Sequence, residues 1–249
     1  MDVIYTIWLR SITRYVRSKS RIIGSISMPL FFLIFLGFGL NSVVNIPGLG
    51  DNYIQFLMPG MVAMSVLFTS VFSGIQIIWD KQFGFLKETL VAPVSRMEIM
   101  LGQTFGGATT AVIQGIIIMV LSLFLGLNVQ SLPGFLIALG FMVLIGISFT
   151  AFGIAIASRM EDMTGFQLIM NFVVFPIFGL SGAMFPISSL PGWLKPITMF
   201  DPLTYGVEGI RYGLTGVSQI NPVISFMVIG GFACIMTIIG AFMFRKINI

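Results

Sequence analysis

The ionisable residues are few, and most site chemistry is closed to them. The 249-residue chain carries 13 Lys and Arg, 9 Asp and Glu, one Cys and no His. Without an imidazole there is no Ser-His-Asp triad, no His-ligated haem and no Cys/His zinc site, and a lone Cys234 cannot found a disulfide framework. The sequence also lacks a G-x-x-x-x-G-K-[ST] run, so no phosphate cradle of that type is present. We therefore expect no catalytic, cofactor-binding or metal-binding residue. The charges that remain have spacings that speak of placement. Arg10, Arg14, Arg17 and Arg21 fall within about 60° of one another on a helix. Glu208 and Arg211 stand three residues apart on another, a spacing at which opposite charges pair.

The elements that must carry these charges are apolar. Hydrophobic residues make up 57% of the chain against 9% charged, with 25 Phe, 17 Met and a mean hydropathy of +1.02. A soluble particle cannot be coated from so little polar material, and disorder is excluded for the same reason. The reading is an all-α integral membrane protein. Six stretches of about 20 apolar residues, the length that crosses the bilayer core, lie near Ile22–Val44, Phe56–Trp79, Leu101–Leu127, Leu132–Ala157, Gly165–Phe185 and Val223–Phe244. The first follows a basic segment with no small-residue cleavage site, so it reads as a retained span.

Basic residues concentrate between alternate spans. Arg10, Arg14, Arg17, Lys19, Arg21, Lys81, Lys87, Arg96, Arg159, Arg245 and Lys246 fall on one side, and only Lys195 and Arg211 on the other. By the positive-inside rule both termini are expected in the cytoplasm of a multi-pass cell-membrane protein. The same asymmetry accounts for the net charge of +4 without invoking nucleic acid.

Three segments are not spans. Residues 2–21 place Ile4, Ile7, Trp8, Ile12, Tyr15 and Val16 opposite the arginine stripe, the pattern of a helix lying in the membrane interface with its cations toward water or lipid phosphate. The 80–97 loop sets Phe83, Leu86 and Leu90 on one apolar ridge, and Pro93 should end that helix. The 188–222 segment, broken by Pro191, Pro196 and Pro202, suits short helices at the outer interface, with Glu208 and Arg211 paired there. Within the spans, Gly102 and Gly106 form a GxxxG and Ala151 and Ala155 a small-xxx-small pair, both signs of close helix packing. Gln76, Gln114, Gln167 and Asn171 are expected in interhelical hydrogen bonds.

The energy source is argued by elimination. Asp80 lies at a span end, Glu161 and Asp162 in a turn, and Asp201 and Glu208 in the outer segment, so no proton relay can be drawn through the spans. Sodium held by backbone carbonyls would escape this argument. A pump of this composition needs an external motor, and the 80–97 ridge is where one would push.

The loop FGFLKETLVAPVSR (Phe83 to Arg96) followed by Gly102, and the outer LPGWLKPITMFDPLTYGVEGIR (Leu190 to Arg211), resemble the membrane subunit of ABC-2 type exporters, and most of all the daunorubicin/doxorubicin-resistance permease branch. The likeness covers nearly the whole chain as a single transmembrane domain, 1–249. It implies an N-terminal interface helix bearing Trp8, Arg10, Arg14, Arg17 and Arg21, six transmembrane helices, a cytoplasmic coupling helix, and outer interfacial or re-entrant helices before the sixth span. It places Phe83, Gly84, Phe85, Leu86, Lys87, Glu88, Leu90, Pro93 and Ser95 at the contact with an ATPase subunit. Many members carry Thr and an acid where this chain has Phe85 and Lys87, with Glu88 one place later. Pro202, Leu203, Tyr205, Glu208 and Arg211 fall on an outer gate or dimer element. The partners implied are two copies of an ABC ATPase, which would bind the ATP and Mg, a second permease subunit forming a homodimer, and membrane lipid. The expected function is the permease half of an ATP-driven exporter of a hydrophobic or amphipathic compound, drug-like or lipid-like. Export of a lipid-linked glycan, or a non-transporting anchor for an ATPase, are the alternatives.

Overall fold

The computed structural model describes residues 2–41, 53–85, 89, 94–126, 129 and 131–247. Among them there is helix and turn and no strand. Helix α1 (Asp2–Arg17) ends at Ser18, and α2 (Lys19–Phe32) runs on through a π-helical stretch, Leu33–Phe38. Then come α3 (Tyr53–Ser73), α4 (Ile75–Gln82), α5 (Arg96–Phe124), α6 (Leu132–Ala157) and α7 (Met163–Leu180). Two short helices, α8 (Lys195–Phe200) and α9 (Pro202–Thr215), precede α10 (Pro222–Arg245). Five continuous helical stretches are long and apolar enough to cross a membrane, with α3 and α4 counting as one of 30 residues. The bent pair of α1 and α2 would add a sixth if the two form one span.

The helix starts are written locally. Ser95 caps α5 and Glu98 returns the favour to the Ser95 N–H, a capping box. Ser131, Asp162, Asp201 and Asn221 each accept from the first turn of the next helix, and proline follows in the first turn after Ser131, Asp201 and Asn221, where its missing N–H costs nothing. Helix α9 stops at Gly216, whose φ of 70° is the left-handed C-terminal conformation.

Close backbone approach holds the bundle together. A Cβ on Gly74 would sit 2.6 Å from the Gly153 carbonyl group, so α6 and the α3–α4 junction meet backbone to backbone. The expected GxxxG is used by an unexpected partner: Gly102 faces Ile4 and Ile7, and Gly106 faces Trp8 and Ser11, so α1 packs along α5.

Three expectations change. The N-terminal helix stops at Arg17, four residues early, so Lys19 and Arg21 belong to the start of the next helix. The fifth span ends at Leu180 in place of Phe185, because the chain turns at Gly182 with φ of 70°. Gln167 and Asn171 are exposed on the face of α7 and make no hydrogen bond within the chain among the described residues.

Candidate functional site

Two polar constellations interrupt the apolar bundle, one at each end. At the first, the ends of α4 and α6 meet the starts of α1, α5 and α7. Asp80, only 5% exposed, receives both its oxygens' bonds from Arg10 Nη2, at 2.7 and 2.5 Å. Gln76 Nε2 donates to it at 2.7 Å and Gln103 Nε2 at 3.4 Å. A carboxylate withdrawn from water needs such a shell, because an unpaired buried charge is too costly to keep. Arg10 therefore turns into the protein, away from the water or lipid phosphate expected for it. Its guanidinium also lies 4.0 Å from the Phe85 ring centre, linking α1 to the segment after α4.

Neighbouring contacts fasten the same end. Lys81 Nζ donates to the Ser158 and Met160 carbonyls at 2.7 and 3.2 Å, and Gln82 to that of Glu161 at 2.7 Å. Arg96 reaches the Arg245 carbonyl at 2.6 Å. Trp8 Nε1 donates to Thr109 Oγ1 at 3.0 Å, and the buried Tyr15 hydroxyl donates to Gln114 Oε1. Arg14 and Arg17 stay exposed, as the stripe predicts.

The ATPase-contact set divides. Phe83, 71% exposed, stacks on Trp79 at 5.3 Å, and Gly84 turns the chain with φ of 76°, a conformation that a Cβ would strain. Phe85 is half-covered by Arg10. Ser95 is spent on the capping box. Leu86, Lys87, Glu88, Leu90 and Pro93 lie outside the described residues.

The second constellation is on α9. Pro202 opens the helix, Leu203 is buried, and the Tyr205 hydroxyl donates to the Met199 carbonyl at 3.0 Å. Glu208 and Arg211 are 0% and 1% exposed and pair with each other. Arg211 also donates to the Gly182 carbonyl at 2.9 Å and lies 3.9 Å from the Phe56 ring centre, while Glu208 accepts from the Gln219 N–H at 2.5 Å. One ion pair thus ties α9 to α3, to the turn after α7 and to the loop before α10.

This corrects the surface seat expected for the segment. Gly206, Gly209 and Gly213 press against Ile145, Phe141 and Gly134 in turn, so α9 runs antiparallel to α6 and reaches its middle. Glu208 is enclosed by protein. Contrary to the outer placement expected from the sequence, position does not keep Glu208 out of the bundle; there it is held by Arg211. Among the residues missed by the sequence reading, Asp201 caps the inner tip of α9, buried, with Oδ2 unpartnered among the described residues. The Gly206-x-x-Gly209-x-x-x-Gly213 stripe was the available signal for this depth.

The outward faces differ. That of α10 is apolar, with Val223, Phe226, Met227, Ile235, Ile238 and Phe242 exposed, whereas α7 shows Thr164, Gln167 and Asn171 among Leu168, Phe172 and Phe175.

Comparison with known proteins gives a consistent set. Residues 2–215 match the family model described as ABC-2 type transporter. The chain is 31% identical over 198 residues to the "Putative transport permease ycf38" of Cyanophora paradoxa, covering 79% of this chain and 68% of that one. It is 27% identical over 227 residues to the "Inner membrane transport permease YadH" of Escherichia coli (strain K12), covering 90% and 87%. To the "Nodulation protein J" of Rhizobium leguminosarum bv. trifolii it is 29% identical over 240 residues, covering 95% and 89%.

Proposed function

The chain belongs to the ABC-2 type transporter family and is a transport permease, and from that premise we propose that it is the membrane half of an ATP-driven exporter of a hydrophobic or amphipathic compound. The observation that carries the proposal is the end of the bundle built around Asp80. There α1, α4 and α5 are locked together by the Arg10–Asp80 pair, and Phe83 projects into solvent directly beyond it. An exposed aromatic on a rigid base is what a docking partner buries best, and the chain has no phosphate cradle of its own. Two ABC ATPase subunits would dock here and supply the motor.

The charge asymmetry between loops supports placing this end, with both termini, in the cytoplasm. The exposed amides Gln167 and Asn171 support a second permease copy or a wet path against α7, since a side-chain amide facing hydrocarbon without a partner is costly. A homodimer satisfies this most simply.

Reconstitution tests the proposal. The chain is purified from its own host in mild detergent, any copurifying P-loop ATPase is identified, and the pair is placed in vesicles. ATP-dependent movement of an amphipathic dye toward one side is the expected result. ATP hydrolysis with no movement of any compound would make the chain a tether. Movement without an ATPase would remove the external motor.

A further inference from the structure

The elbow between α1 and α2 has a role that the docking site does not use. The two helices meet at Ser18 with a bend of 71°. Along α1 and around the bend, Thr13, Arg14, Arg17, Ser18 and Lys19 border an open groove of about 930 Å³. Arg14, Arg17 and Lys19 have no carboxylate within ion-pair distance among the described residues, so three like charges lie within two helical turns without compensation.

This groove lies beside two smaller spaces, since Arg14 and its neighbour Tyr15 face them. Arg14 also walls a narrow polar slot of about 40 Å³ with Ser73 and Gln76, and Tyr15 on that slot lines a further cavity of about 250 Å³ between α2 and α3. Met28, Pro29, Met64, Phe68 and Phe72 give that cavity its walls. Its Ser25 and Ser65 hydroxyls are turned onto their own helices, donating to the Ile22 and Val62 carbonyls at 3.0 and 2.9 Å. Apart from Thr69 and Tyr15, what is left for a guest is apolar surface. Such a lining takes part of an alkyl chain in preference to a charged headgroup, which would lose its hydration there.

We propose that the elbow binds an anionic amphiphile, its phosphate or similar oxyanion headgroup lying against Arg14, Arg17 and Lys19 and its alkyl chain entering the cavity between α2 and α3. The charge selects an anion over a neutral or cationic guest, and the greasy cavity selects a chain over free phosphate. As a statement about cargo this rests on the permease reading above; as a statement about binding it does not.

The test is native mass spectrometry of the full chain in detergent with phosphatidylglycerol or phosphatidylcholine of the same chain length. Wild type should take up phosphatidylglycerol at least tenfold better. A variant carrying Arg14→Gln, Arg17→Gln and Lys19→Gln should lose that preference. Gly24→Leu should lower uptake of both lipids, because Gly24 lines the cavity and a side chain there meets no atom within 4 Å. Equal uptake of the two lipids by wild type, or undiminished phosphatidylglycerol uptake by either variant, overturns the proposal. Release of the bound lipid to the opposite leaflet on ATP turnover assigns the site to cargo, and retention assigns it to a resident membrane lipid; both outcomes keep the site. Binding without any ATP-driven transport would fail the exporter reading and leave the site intact.

Discussion

Removing Arg10 should cost more than removing both members of its pair. Arg10→Ala leaves Asp80 5% exposed with only the two glutamine amides for company. Breaking a fully buried pair from one side costs about 3–5 kcal/mol, most of it the uncompensated charge. Here the Arg10 side chain is 27% exposed, and water can follow the truncation into the slot beside it, so the figure falls to about 2 kcal/mol. Asp80→Asn removes the charge, keeps one accepting oxygen for Gln76, and frees an arginine that can turn to solvent, for about 1 kcal/mol. The double variant has no stranded charge and should match Asp80→Asn at about 1 kcal/mol, a coupling of about 2 kcal/mol. Thermal unfolding in detergent reads this as a midpoint about 4–8 °C lower for Arg10→Ala, at roughly 2–4 °C per kcal/mol for a chain of this size. If Arg10→Ala and the double variant melt together, Asp80 is already solvated and the lock does not exist.

Arg211→Met should be among the most damaging single changes, costing about 3–5 kcal/mol by stranding Glu208 among apolar helices; replacing both with Met and Gln should recover much of it in the same melt. Gly209→Leu forces α9 away from Phe141 and should cost at least 1–3 kcal/mol, with new protease cleavage in 188–221 as its signature; unchanged cleavage would mean that α9 does not seat at that depth. Phe83→Asp adds a charge at an exposed site, so the melt should move by less than about 0.5 kcal/mol while ATPase copurification falls by at least tenfold. An undiminished ATPase yield would move the docking surface elsewhere.

How these residues came to be visible or hidden in the sequence has a physical explanation. Spans are legible because burial in hydrocarbon needs a fixed run of apolar residues, and five long helices match their expected positions to within several residues. Helix starts are legible because the cap and its donor are only two residues apart, as at Ser95 with Met97 and at Asp201 with Leu203. The fate of Arg10 was not legible. Helical spacing tells which face it occupies, but the face turns inward only because Asp80, 70 positions away, is buried beside it. Arg14 and Arg17 share that stripe, have no such partner, and stay outside.

Helix α9 shows the same limit from the opposite direction. At 14 residues it spans about 21 Å, too short to cross, and its charges and tyrosines read as a surface segment. Depth here is set by what is missing: Gly206, Gly209 and Gly213 remove the side chains that would hold α9 off α6, so the helix sinks until Glu208 and Arg211 are enclosed. Once enclosed, the pair cannot open without leaving two charges in a dry interior. It follows that if this segment moves during transport, α9 and the Gly182 turn should move as one unit with Glu208–Arg211 closed, and the sliding surface should be the glycine stripe against α6. A crosslink that pins α9 to α6 at positions beside the stripe, and not on its glycines, would then arrest transport, while one joining residues within the α9 unit would not.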